Sequence, residues 1–145
     1  MGKPLLIFFL FVTATCFSQE VPNHTWKIVV KDSLTVDQNF ALVVQKLLEN
    51  DFSIQNKDPK SFTIQSTIKQ IDKSRITYFL KFLIKPGVIE VTGEWNTNTP
   101  IYLNGIRSES TFGQIENRGG RIGEVFEMMK SFAAKLGGIQ SYVFD

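Results

Sequence analysis

Three features of this chain predict an α+β domain with a single antiparallel sheet of about five strands and two helices packed on one face. The first is RITYFLKFLIK-PG-VIEVTGEW at residues 75–95, which reads as two long strands joined at Pro86-Gly87. The other two are segments with apolar residues at helical spacing, at residues 36–49 and 121–136. The expected order is β-α-β-β-β-β-α.

Successive side chains of a strand point to opposite faces, so Ile76, Tyr78, Leu80, Phe82 and Ile84 share one face of the first long strand. Folding the chain at Pro86-Gly87 sets Ile84 opposite Ile89, Phe82 opposite Val91, Leu80 opposite Gly93 and Tyr78 opposite Trp95. One register therefore buries the apolar set of both strands, and a slip by one residue would turn one set to solvent. The hairpin is the centre from which the remaining elements are placed.

Residues 1–18 read as a signal peptide. Lys3 supplies a positive start, and residues 5–12 (LLIFFLFV) form an apolar run far shorter than a bilayer span. Cleavage after Ser18 places small residues, Cys16 and Ser18, at the two specificity positions and starts the mature chain at Gln19. Cys16 raises a second possibility, a lipid-bearing cysteine, but the preceding Thr13-Ala14-Thr15 lacks the Leu and the small third residue of that signal. The expected organisation is a signal peptide at 1–18 and one α+β domain at 19–145. The expected location is the periplasm, the cell envelope or the extracellular space.

Composition narrows the function. With the leader removed, 15 basic residues face 14 acidic ones, so the chain has no electrostatic footprint for nucleic acid or an anionic membrane. No later run approaches the length of a transmembrane helix. Cys16 is the only cysteine and leaves with the leader. The rest of the chain has no disulfide or thiol nucleophile and depends on its core for stability, which about 127 residues can supply.

In chain order, residues 19–23 are a short tail, and Asn23-His24-Thr25 matches a glycosylation acceptor by pattern. Residues 25–31 (TWKIVVK) form a first strand, with Trp26, Ile28 and Val30 on one face. Thr35 and Gln38 fit a capping box, and a helix follows to Glu49 with Asn50 as a left-handed stop. Phe52 and Ile54 begin a short strand, and residues 56–60 turn. Residues 61–71 alternate as one strand, with Phe62, Ile64, Ser66 and Ile68 inward and Ile68 opposite Tyr78. Residues 97–120 are polar and resist assignment, with a partial strand expected at 101–103 and a helical turn at 112–115. The second helix runs from Arg121 to Leu136 and stops at Gly137-Gly138, and residues 139–144 offer a short final strand.

Residues suited to reactive chemistry are sparse. One histidine and no cysteine in the mature chain leave no usual route to a zinc site or a catalytic triad, and no cofactor is implied. Glu90 and Glu94 share a strand face about 13 Å apart, too far for an acid/base pair on one bond, and a cross-strand network with Lys81 is expected instead.

Two places remain. Ser66, Leu80 and Gly93 form a small-large-small row flanked by Tyr78 and Trp95; glycine inside a strand marks a bulge or a close approach. Either the second helix packs tightly on this row, or a small ligand pocket opens there between sheet and helix. Gly119-Gly120-Arg121-Ile122-Gly123 leads into a helix, where Arg118 and Arg121 would add charge to an anion site. The alternative is that these glycines only let the chain turn. Phe79 and Leu83 on the outer face are either covered by residues 97–120 or form a partner surface.

The strand TWKIVVK, the helix TVDQNFALVVQKLLEN followed by DFSI, the strands SFTIQSTI and ITYFLKFLIK, and the helix IGEVFEMMKSFAAKLG together resemble the TATA-binding-protein-like fold of small secreted bacterial domains of unknown function. The resemblance covers residues 25–136 and implies a fold; it carries no functional residues and no DNA binding. The Ser-Gln end of the leader is similar to that of Gram-negative envelope proteins. The expected function is an exported, non-enzymatic binding or interaction module. The alternative is a carrier of a small apolar ligand held between sheet and C-terminal helix, and the third reading is an enzyme with sparse machinery around Arg118, Arg121 or Glu94. The expected partner is a protein or a small apolar molecule.

Overall fold

The computed structural model describes residues 20–145, apart from the side chains at 101 and 103. The expected signal peptide, with Cys16 and the cleavage point before Gln19, lies outside the described residues.

The central hairpin is β5 (Thr77–Lys85) and β6 (Val88–Asn96). Its register is the one that buries both apolar sets: Ile84 pairs with Ile89, Phe82 with Val91, Leu80 with Gly93 and Tyr78 with Trp95. The remaining elements in chain order are β1 (Thr25–Lys31), α1 (Val36–Glu49), β2 (Ile54–Asp58), β3 (Thr63–Ser66) and β4 (Lys69–Gln70) before the hairpin. After it come β7 (Ile101–Leu103), β8 (Ile106–Ser108), β9 (Gly113–Gln114), α2 (Arg121–Lys135) and β10 (Ile139–Phe144).

The fold is α+β with an antiparallel sheet, but among the described residues that sheet has eight strands, not five. Its main path is β10-β1-β6-β5-β3-β2, with β4 on β5 and β9 on β6. The additional strands come from the final segment, from a split in residues 61–71 and from residues 97–120. β7 and β8 form a separate hairpin through Asn104 and Gly105, both at positive φ, as a two-residue turn between twisted strands requires. The helical turn expected at 112–115 is instead β9, paired through Gly113 and Gln114 with Trp95 and Glu94.

One core holds both helices against one face of the sheet. Val43 and Leu47 of α1 and Val125, Phe126 and Met129 of α2 join Ile28, Val30, Ile64, Leu80, Phe82, Ile89 and Val91. α1 begins on the expected capping box: Gln38 N–H donates to Thr35 Oγ1, and Thr35 N–H donates to Gln38 Oε1. Its end differs from expectation. Asn50 has φ −111° and caps through its side chain, donating to Lys46 O at 2.8 Å, while Asp51 takes the left-handed conformation at φ 58°.

Two departures have local causes. Residues 61–71 are not one strand, because Ser66 Oγ, not a backbone carbonyl, accepts from Leu80 N–H (3.0 Å) while donating to Thr67 O (3.0 Å). The ladder breaks there, one residue is inserted, and Lys69 rather than Ile68 meets Tyr78. Ile68 is consequently exposed. In β1, the pairing with β10 shifts between Thr25 and Lys27. This bulge turns Trp26 from the expected inward face to the outer one, where it lines a cavity with Lys81, Thr92 and Phe112, and Thr25 takes the buried position.

The outer face is laced with charge pairs. Glu94 contacts Lys81 as expected, but Glu90 pairs with Lys27 (3.1 Å) and with Lys85 rather than with Lys81. The hydrogen bond from Lys85, supported by Lys27, holds the Glu90 carboxyl below its ordinary value of 4.5. A depressed folded-state value means that this stabilisation is complete above about 4.5 and is lost as pH falls through the lower folded value. Glu90→Gln should therefore lower the thermal midpoint at pH 7, and the gap between variant and parent should close at acid pH. An equal gap at both pH values would show that the ion pairs contribute nothing. Phe79 is covered by Phe112 of the 97–120 segment in an edge-on contact at 5.3 Å.

Candidate functional site

A groove of about 790 Å³ runs between α2 and the end of the sheet where β4 and the start of β5 meet the turn after α1. Its floor is aromatic. Phe52 stands edge-on to both Tyr78 (6.1 Å) and Phe132 (5.7 Å), and Phe132 rests on Phe82 (5.4 Å). Phe52 reaches this position because Asp51 at positive φ reverses the chain at the end of α1, and Phe52 N–H donates back to Leu47 O at 2.9 Å. Met128 extends the apolar surface toward solvent.

The rim is charged. At one end Asn50 holds two lysines. Lys69 Nζ donates to Asn50 O at 3.1 Å while lying 4.4 Å from the centre of the Phe52 ring, and Lys135 Nζ donates to Asn50 Oδ1. A cation over an aromatic face is attracted by the ring quadrupole, which orders the lysine without burying it. At the other end Arg118 reaches the lining, its Nε 2.6 Å from Glu116 Oε2. His24 Nδ1 lies 3.7 Å from the same carboxylate oxygen. Asn117 anchors this segment by donating its N–H to Thr25 O (2.7 Å) and its Nδ2 to Val21 and Pro22 carbonyls. Glu124 and Glu127 line the α2 side. Tyr78 is mostly buried, and burial pushes its phenol upward, so the group is neutral near pH 7 and can donate or accept a hydrogen bond.

The glycines at the start of α2 have separate roles. Gly120 is the N-cap at φ 70°, ψ −150°, a conformation other residues rarely adopt, and it supplies no side-chain cap. Gly123 faces Arg118 O so closely that an added Cβ would sit 2.2 Å from it. Gly123 thus seats the Arg118 carbonyl against the first helical turn. Arg118 lines the groove, whereas Arg121 is exposed and does not line it.

The five residues marked on the hairpin and its neighbour do not form one site. Ser66, Leu80 and Gly93 lie together in the row read from the sequence, but Ser66 and Leu80 are fully buried, and Ile115, not α2, covers Gly93. Trp95 borders a smaller recess with Gly113, Glu116, Arg118 and Ile122, and Tyr78 alone of the five faces the groove. Sequence reasoning missed Asn50, Phe52, Lys69, Phe132 and Lys135 as site residues. One signal was available: Glu124, Glu127, Met128, Ser131 and Lys135 recur at helical spacing on a stripe beside the buried one. Among the described residues, no three His, Cys, Asp or Glu side chains cluster to hold a metal, and no helix is long and apolar enough to cross a membrane.

Compared with protein-family models and with curated proteins, the chain matches none.

Proposed function

We propose that this protein is an exported, non-enzymatic binding module, with the TATA-binding-protein-like fold as its scaffold and the α2 groove as its binding surface. The observation that carries this reading is the aromatic floor of Phe52, Tyr78 and Phe132 beneath a rim of Lys69, Lys135 and Arg118. Apolar surface of this kind gains by being covered, and ordered polar groups at its margin fix the orientation of what covers it. The mixed rim, in which Glu124 and Glu127 line the groove along with the basic groups, suits an amphipathic occupant. Export rests on the leader at 1–18.

A second reading, a carrier of a small apolar molecule, is favoured by the groove volume, which lies in the range of small-ligand sites. Ser131 is exposed on the groove wall, so Ser131→Trp should fill the groove while leaving the core intact. The probe is anilinonaphthalene sulfonate, an aromatic anion. The parent should bind it, and Ser131→Trp should bind at least about tenfold more weakly. Equal binding by both would remove the groove from the proposal. Native mass spectrometry of the protein isolated from cells separates the readings: a bound small molecule, lost in the variant, supports the carrier.

A further inference from the structure

We propose that β10 is a self-pairing edge, along which two copies of the chain join by antiparallel pairing of Ile139–Phe144 about a two-fold axis. This inference does not rest on the groove. Among the described residues β10 ends the sheet and has β1 as its strand neighbour on one side only, so its other side presents backbone donors and acceptors that no described strand pairs. Such an edge templates another strand unless charge, proline or a bulge guards it.

The two ends of the sheet differ in this respect. β2, at the far end, carries Lys57 and Asp58, is followed by Pro59, and has a register irregularity between Ile54 and Asn56. β10 is less guarded: the bulge in its pairing lies in β1, and the charge beside it, Asp145, follows its end. Its sequence, IQSYVF, holds no charge and no proline, and its own residues run without interruption.

The exposed side chains select both occupant and register. Ile139, Ser141 and Val143 pair with Lys31, Val29 and Lys27, which places them on the outer face; Ile139 is 76% exposed and Val143 36%. A two-fold axis normal to the sheet keeps outer face beside outer face, so only registers that match like faces are allowed. Centring the axis on Ser141 sets each Ile139 opposite Val143 of the second copy and each Gln140 opposite Tyr142. Both exposed aliphatic residues are then covered, while Phe144, also exposed, falls opposite Gly138 beyond the end of the second copy's β10. Two six-residue strands make a small interface, so the dimer should dissociate on dilution.

Analytical ultracentrifugation of the purified protein from about 1 mM to about 1 μM tests this. A monomer–dimer equilibrium is expected, and a monomer throughout would overturn the proposal. The register is tested by charge. Ile139→Lys/Val143→Lys sets like charges opposite each other twice and should raise the dimer Kd by about tenfold or more. Ile139→Lys/Val143→Glu sets opposite charges in the same places and should restore it. A dimer indifferent to both pairs of substitutions lies on another surface and overturns the proposal, as does failure of the second pair to restore association. Circular dichroism confirms that each variant is folded; both positions are solvent-facing.

Discussion

Phe126→Ala should cost about 3–5 kcal/mol and lower the thermal midpoint by on the order of 10–20 °C. Phe126 is fully buried in the middle of α2, in the same cluster as Met129, Val91 and Leu80. The loss has two parts: the transfer free energy of the ring and the cavity left behind. α2 is held at one end by the Gly123 contact and at the other by the Gly137-Gly138 turn, where an added Cβ on Gly138 would meet Lys31 O at 2.5 Å. The helix is therefore poorly placed to collapse into the gap, which favours the upper part of the range. Urea denaturation measures it. A midpoint equal to that of the parent would mean that α2 does not pack on the hairpin.

Gly93→Leu should be comparably severe, for the opposite reason. A Cβ at this position would lie 2.6 Å from Ile115 Cδ1 and 2.7 Å from Phe79 O. The first contact can yield, since it is the end of a side chain, but the second is backbone within the central pairing. Overpacking of this kind costs 1–3 kcal/mol, and about 3 kcal/mol or more is expected where backbone must move. Gly93→Ala isolates the Cβ clash and should show a smaller loss. Ile115→Ala in the Gly93→Leu background should recover part of the stability by vacating the space. Wild-type stability in Gly93→Leu would show that the row is open rather than packed.

The hairpin was legible because period-two alternation and a single turn leave one register that buries Phe82, Leu80, Ile89 and Val91 together. The apolar stripe of α2 was legible for a similar local reason: Val125, Phe126, Met129 and Phe132 recur at helical spacing. Local pattern failed where a single polar atom or an inserted residue changed the count. The Ser66 hydroxyl replaces one ladder acceptor and so ends β3, and the bulge at Trp26 reverses the face of one aromatic ring. Neither event alters the alternation of residue types. β9 was illegible because two residues carry no period. The packing at Gly93 was readable as a close approach, but its occupant, Ile115, comes from the polar segment where no apolar pattern announces it. The groove was least legible. Phe52, Lys69 and Lys135 are separated along the chain and meet only once the turn after α1, β4 and α2 have converged.

The pairing of β1 with β10 also constrains how the molecule is made. Ser141 Oγ donates to Val29 O across 112 positions of sequence, and Ile28 to Lys31 are flanked by Val88 to Val91 on one side and by the final strand on the other. Contacts of such separation form slowly, because a long loop must close before they contribute. As the chain emerges from the ribosome, β1 appears before its neighbour β6 and long before its second neighbour at residues 139–144. Until residues 139–144 have been made, one side of β1 lacks the strand it pairs with, and the sheet stays incomplete there.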